Sequence, residues 1–194
     1  MPERRRVPVP VSKRGVSRPT FSAPPPAAAS EPLVDEPADS CPCPRLDAAD
    51  WHEVESDWSD IAFLTTTLMA AAGVPLGYPA AREALLARAA AVGATVPPDA
   101  MILLGAGKFR RPVMLEIEDV PDGLNGVERP GGVVFTRLVP ASLGALRKAL
   151  NETVTMAGAR YGRKPDDTWM WYLTCRHCSA ARAYETLVVA HYRP

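Results

Sequence analysis

The sequence predicts an α+β fold: a strand–helix–strand–strand unit used twice, with a largely antiparallel sheet, helices on one side and a pseudo-two-fold axis between the halves. Three observations predict it. Two helical stretches each follow a β-branched strand, and each opens at a proline and closes at a glycine. The same order of elements recurs in residues 61–119 and 132–192. Two close-set cysteine pairs, Cys41/Cys43 and Cys175/Cys178, bracket the whole. One such unit cannot cover its own sheet face, whereas two paired copies bury a shared core and leave a cleft between them.

Each element has its own signal. Residues 51–58 form a polar and aromatic lead-in, and Asp57-Trp58-Ser59-Asp60 reads as a turn that pins a tryptophan on the domain. Residues 61–67 are rich in β-branched and aromatic side chains and read as a strand. Gly73, Pro75, Gly77 and Pro79 then mark a loop. A first helix starts at Pro79, where the missing N–H is no loss, and carries Leu85, Leu86, Ala89 and Val92 at helical spacing. Gly93 is its expected left-handed cap. Residues 101–104 and 113–118 are strands around a hairpin turn at Gly105–Lys108. Val113, Leu115 and Ile117 fall on one face of the second, and Met114, Glu116 and Glu118 on the other.

The second half repeats the order after a Gly/Pro/Asp-rich connection at 121–132. Residues 133–139 are a strand. Pro140 is read as opening a helix with Leu143, Leu146, Leu150, Val154 and Ala157 in its apolar stripe, closed at Gly158. Residues 169–174 and 187–192 are the last strands, joined through the cysteine loop.

Residues 1–44 differ from the rest. They hold eleven of the 21 prolines and few large apolar side chains. Such a segment cannot bury enough surface to offset its chain entropy, so a disordered Pro-rich tail is expected ahead of a domain at 45–194. Arg4, Arg5, Arg6, Lys13, Arg14 and Arg18 make its start basic, and Glu31, Asp35, Glu36 and Asp39 reverse the sign. A basic arm of this kind could dock on a protein or RNA partner. Prolines break up the apolar stretch that an export signal needs, and no run is long enough to insert in a membrane. Acidic and basic residues balance at 22 each, so no overall field favours nucleic acid or lipid. Sparse cysteines in close pairs are unlike a secreted disulfide framework and suit the cytoplasm.

The four cysteines are the sharpest chemical signal. Two dithiol hooks supply the four soft donors that zinc takes in a closed tetrahedron, which would tie the start of the domain to its last hairpin. A redox dithiol at Cys175/Cys178, inert thiols and a disulfide are the alternatives, and His177 or His191 could stand in for a sulfur. Trp169 and Trp171 share one strand face and Met170 and Tyr172 the other; either aromatic pair could pack in the core or wall a cleft. Glu116 and Glu118 could face solvent or line that cleft, and a carboxylate against tryptophan would hold its proton more tightly and could act as acid or base. Glu185 is a third carboxylate, and Lys108, Arg110 and Arg111 read as a solvated basic tip. The sequence holds neither Gly-x-Ser-x-Gly nor His-Glu-x-x-His, and Gly105-x-Gly107-Lys108 lacks phosphate-loop spacing.

Val134-Phe135-Thr136-Arg137-Leu138, the helix after it and Trp169-Met170-Trp171-Tyr172 resemble the GyrI-like small-molecule-binding domain. Residues 51–193 are also similar to a group of short bacterial proteins labelled hydrolase. The likeness lies in Asp57-Trp58-Ser59, Val74-Pro75-Leu76-Gly77, Phe109-Arg110-Arg111 and Tyr172-Leu173-Thr174-Cys175-Arg176-His177-Cys178-Ser179. Proline is missing after Cys175, Arg111 stands in place of glycine, and Val139-Pro140-Ala141 replaces a Gly-x-Tyr helix start. The resemblance implies a pocket for a small organic ligand, with Trp169, Trp171, Tyr172, Glu116 and Glu118 as binding residues. It also implies a rival reading as a hydrolase with Glu116 and Tyr172 as catalytic groups. A third reading is an accessory subunit docked through its N-terminal arm.

Overall fold

The computed structural model describes residues 41–71, 74–120 and 123–194. The tail expected at 1–44 lies outside them except for its last four residues, which are placed against the domain. The elements run in chain order as α1 (Ala48–Trp51), β1 (Val54–Asp57), β2 (Ala62–Ala71), β3 (Val74–Pro75), α2 (Tyr78–Ala91), β4 (Ile102–Gly105), β5 (Arg110–Ile117), β6 (Val127–Glu128), β7 (Val133–Pro140), α3 (Leu143–Tyr161), β8 (Asp167–Tyr172) and β9 (Glu185–Tyr192).

The strands form one antiparallel sheet in the order β1-β7-β9-β8-β4-β5-β2-β3, with β6 beside β2. Its centre is a mirror: β7-β9-β8 in one half answers β2-β5-β4 in the other, and β8 meets β4 at the seam. The duplicated pattern in the sequence is thus realised as two copies joined along β4 and β8, the strand that follows the helix in each. Beta-branched residues in β2 and β7 and alternating apolar residues in β5 account for the long ladders.

Two helix boundaries differ from the sequence reading. Pro140 ends β7 opposite Glu185, and α3 starts only after Ser142, whose carbonyl accepts the first helical bonds. A proline tolerates a strand end because no ladder N–H is needed there. At the other end α3 runs through Gly158 to Tyr161, and Gly162 takes the left-handed cap at φ 66°. An interior glycine costs about 1 kcal/mol, which the buried Ala157 beneath Phe135 and Ala190 offsets. Gly93 caps the first helix as expected, at φ 72°.

The register assigns the faces. Leu104 opposes Met170 and Val113, so the even residues of β8 and the odd residues of β5 share a face. Helix α3 packs there on Met170, Val188 and Ala190. Tyr78, at the start of α2, sets its ring edge-on to Tyr172 on that same face, with centroids 5.9 Å apart. Helix α2 lies on β2 and β5 and α3 on β7 and β9, which leaves the central pair β4–β8 between them. The opposite face is covered by the lead-in: Trp51 packs on Trp171, and Trp58 stacks flat on Trp169 at 5.7 Å while touching Phe63. Among the described residues no helix is long and apolar enough to cross a membrane.

Candidate metal centre

Four sulfurs converge where the two ends of the domain meet. The Sγ atoms of Cys41, Cys43, Cys175 and Cys178 all lie within 4.8 Å of one another. Cys41 is 3.4 Å from Cys43 and 3.5 Å from Cys175, and Cys175 is 4.0 Å from Cys178. All four are free thiols, and Cys178 is fully buried. A metal–sulfur bond of about 2.3 Å in a tetrahedron sets its sulfurs about 3.8 Å apart, so the donor set fits such an ion in number, chemistry and spacing.

The chain builds the site from both sides. After β8 it folds back on itself: Ser179 N–H donates to Cys175 O, Arg182 N–H to Cys178 O and Tyr184 N–H to Ser179 O. Ala183 and Tyr184 leave this loop in left-handed backbone at φ 49° and 57°, a conformation that costs about 1–3 kcal/mol per non-glycine residue unless the surroundings hold it. The thiols are unequal. Burial works to raise Cys175, but the N–H groups of Cys178 and His177 and the facing thiols of Cys41 and Cys43 outweigh it and bring the pKa down to about 6. Burial, reinforced by the neighbouring thiols, pushes Cys43 up. A ready thiolate at Cys175 suits first capture of a cation, which would then draw the protons from the rest.

The family described as bacterial hydrolase matches residues 34–191, a span that takes in both thiol hooks, both halves and the lead-in. The chain belongs to this family. No curated protein matches it.

In this bacterial hydrolase family member, Arg182 is the residue that sequence reasoning missed. Its side chain is 7% exposed and bonds Pro44 O at 2.8 Å, Leu173 O at 3.1 Å and the Glu185 carboxylate at 3.0 Å. It therefore ties the residue just after the first hook to the residue that leads into the second. Glu185 is engaged in that ion pair. The only signal was the Arg182–Glu185 spacing, which any exposed turn could show. His177 is exposed beside Arg176, and His191 lies buried at the far end of β9 against Gly131 O and Asp167. The four ligand atoms that come together are sulfurs alone.

The other candidate residues separate. Trp169 and Trp171 are 4% exposed under Trp58 and Trp51. Glu116 is also buried, its Oε2 accepting from Met101 N–H at 3.0 Å, while Glu118 is exposed. Tyr172 is on the helix-bearing face, so the sheet stands between it and Glu116. The expected basic tip divides too: Lys108 and Arg110 are exposed, but Arg111 is 5% exposed. Its Nε donates to Gly105 O at 2.7 Å and its guanidinium donates to the Tyr172 hydroxyl. Strand alternation turns Arg111 under the helices while Arg110 points away. Burial lowers the pKa of Arg111 and raises that of Tyr172; their contact opposes both shifts. Burial pushes Tyr78 up to about 12.

Proposed function

We propose that this bacterial hydrolase family member is a small-molecule-binding protein of GyrI-like architecture, whose two ends are clasped by a structural zinc ion on Cys41, Cys43, Cys175 and Cys178. The observation that carries the zinc reading is the set of four sulfurs within 4.8 Å. The mirrored strand order supports the GyrI-like reading. Free thiols suited to a metal favour a reducing compartment such as the cytoplasm. The bound ion would have no open position for substrate, because four thiolates complete its shell. Its role is to hold residues 41–46 and 173–184 in register, so that the domain keeps its lead-in across the sheet.

The small organic ligand is assigned to the helix-bearing face. Trp58 and Trp51 fill the other face over Trp169 and Trp171, and Glu116 is buried. Between α2 and α3, Tyr78 and Tyr172 stay partly exposed above the central seam. A hydrolytic second reading is favoured by the family and by the Tyr172–Arg111 bond. In it water would attack the scissile bond, Tyr172 would give its proton to the departing group while Arg111 steadied the phenolate, and the proton released by the water would restore the phenol. Metal analysis of the purified full chain tests the zinc reading: one zinc per chain, lost in Cys175→Ser. Metal-free protein with unchanged stability in that variant would end it. Loss of turnover in Tyr172→Phe with ligand binding kept would favour the enzyme, and binding without any turnover the sensor.

A further inference from the structure

We infer that the end of the sheet formed by the β2–β3 and β4–β5 turns is a docking surface for an anionic lipid bilayer, with Met69, Val74, Leu76 and Phe109 entering the headgroup layer and Lys108 and Arg110 meeting lipid phosphates. The inference is independent of the small-molecule reading. These four apolar side chains are each more than half exposed, and they are four of the five exposed large apolar side chains among the described residues. Apolar residues scattered singly over a surface are ordinary, whereas a cluster marks a surface that meets something. Strand register makes the cluster. Met69 opposes Arg110, and Ala71 opposes Val74. Leu76 N–H donates to Met69 O at 2.9 Å and Ala70 N–H to Phe109 O at 2.8 Å, so the two turns are held side by side. Alternation puts Met69, Val74, Leu76 and Arg110 on the face away from the helices.

The charges say what covers the patch. Lys108 and Arg110 flank Phe109 and are exposed. Lys108 Nζ stands 5.2 Å from the centre of the Phe109 ring. The lysine stem and the ring therefore enter an interface together while the ammonium stays at phosphate level. Projecting turns suit a fluid surface, which needs no matching pocket. The chain's net charge is zero, so this attraction is local to the turns. A second copy docked here about a two-fold axis would bring like charges together. The acidic stretch at 31–39 joins the domain at Cys41, beside Cys175 and at the other end of the sheet. Strands β8 and β4 are antiparallel, so Cys175 lies beyond the start of β4 and Phe109 beyond its end.

Flotation of the purified full chain with vesicles of phosphatidylcholine, and with vesicles of phosphatidylcholine and phosphatidylglycerol in equal parts, tests this. The chain binds the mixed vesicles at least about tenfold more tightly, and added salt weakens the binding. Phe109→Ser lowers that affinity about tenfold, the scale of one aromatic side chain kept from burial. Lys108→Gln and Arg110→Gln each lower it about fivefold. All three positions are exposed, so folding is unchanged in these variants. The basic residues between Arg4 and Arg18 also attract anionic lipid, but binding carried by them survives Phe109→Ser, and that result would overturn the inference. Equal binding to both kinds of vesicle, or none to either, would overturn it too. Self-association that Phe109→Ser abolishes, without vesicle binding, would assign the patch to a second copy instead.

Discussion

The two halves follow one path and close their last hairpins in opposite ways. In the first, β4 turns into β5 through residues 106–109, and Gly107 lies so close to Arg110 O that an added Cβ would sit 1.9 Å from it. In the second, β8 reaches β9 through residues 173–184, a long loop with two left-handed non-glycine residues. A short turn is held by its own backbone. A long loop must be held from outside, and here the means are four thiols and Arg182. The contrast shows how a duplicated unit diverges: the sheet is conserved between copies, and the connection is where one copy acquires a site.

Losing the clasp should separate the halves most. Cys178→Ser is expected to cost more than about 4 kcal/mol and to expose residues 173–184 to hydrogen exchange, with β2, β4 and β5 still protected. Next comes the residue shared by both halves. Trp58 stacks on Trp169 in one and touches Phe63 in the other, so Trp58→Ala should cost about 3–5 kcal/mol, lowering the denaturant midpoint as a single transition. Arg182→Met leaves the carbonyls of Pro44 and Leu173 without its bonds and should cost about 2 kcal/mol, with weaker metal retention against a chelator. Gly107→Ala should cost about 1–2 kcal/mol through local crowding and leave metal content untouched. If Gly107→Ala released metal, or Cys178→Ser melted both halves equally, the two closures would not be independent.

Much of this was legible in the sequence, for physical reasons that differ by residue. Strand alternation and helical spacing report burial directly, so the repeated unit and most of its strands could be read. Cysteines at both ends of a domain have few uses, and spacing alone suggested that they meet. The sequence reading starts this strand at Val113 and leaves Arg110 and Arg111 in the turn, whereas β5 begins at Arg110, so its alternation takes in both arginines and buries Arg111. Likewise Trp58 was read as pinned to the domain, while its partner on the other half could only come from the fold. Pairing of β1 with β7 was illegible because Val54–Asp57 is short and polar, and its order comes from the neighbouring strand.

X-ray absorption at the zinc edge of the purified full chain probes the clasp most directly. The account predicts one zinc per chain with four sulfur neighbours at about 2.3 Å. A first shell of nitrogen and oxygen, or protein that carries no metal yet keeps residues 173–184 protected from exchange, would contradict it.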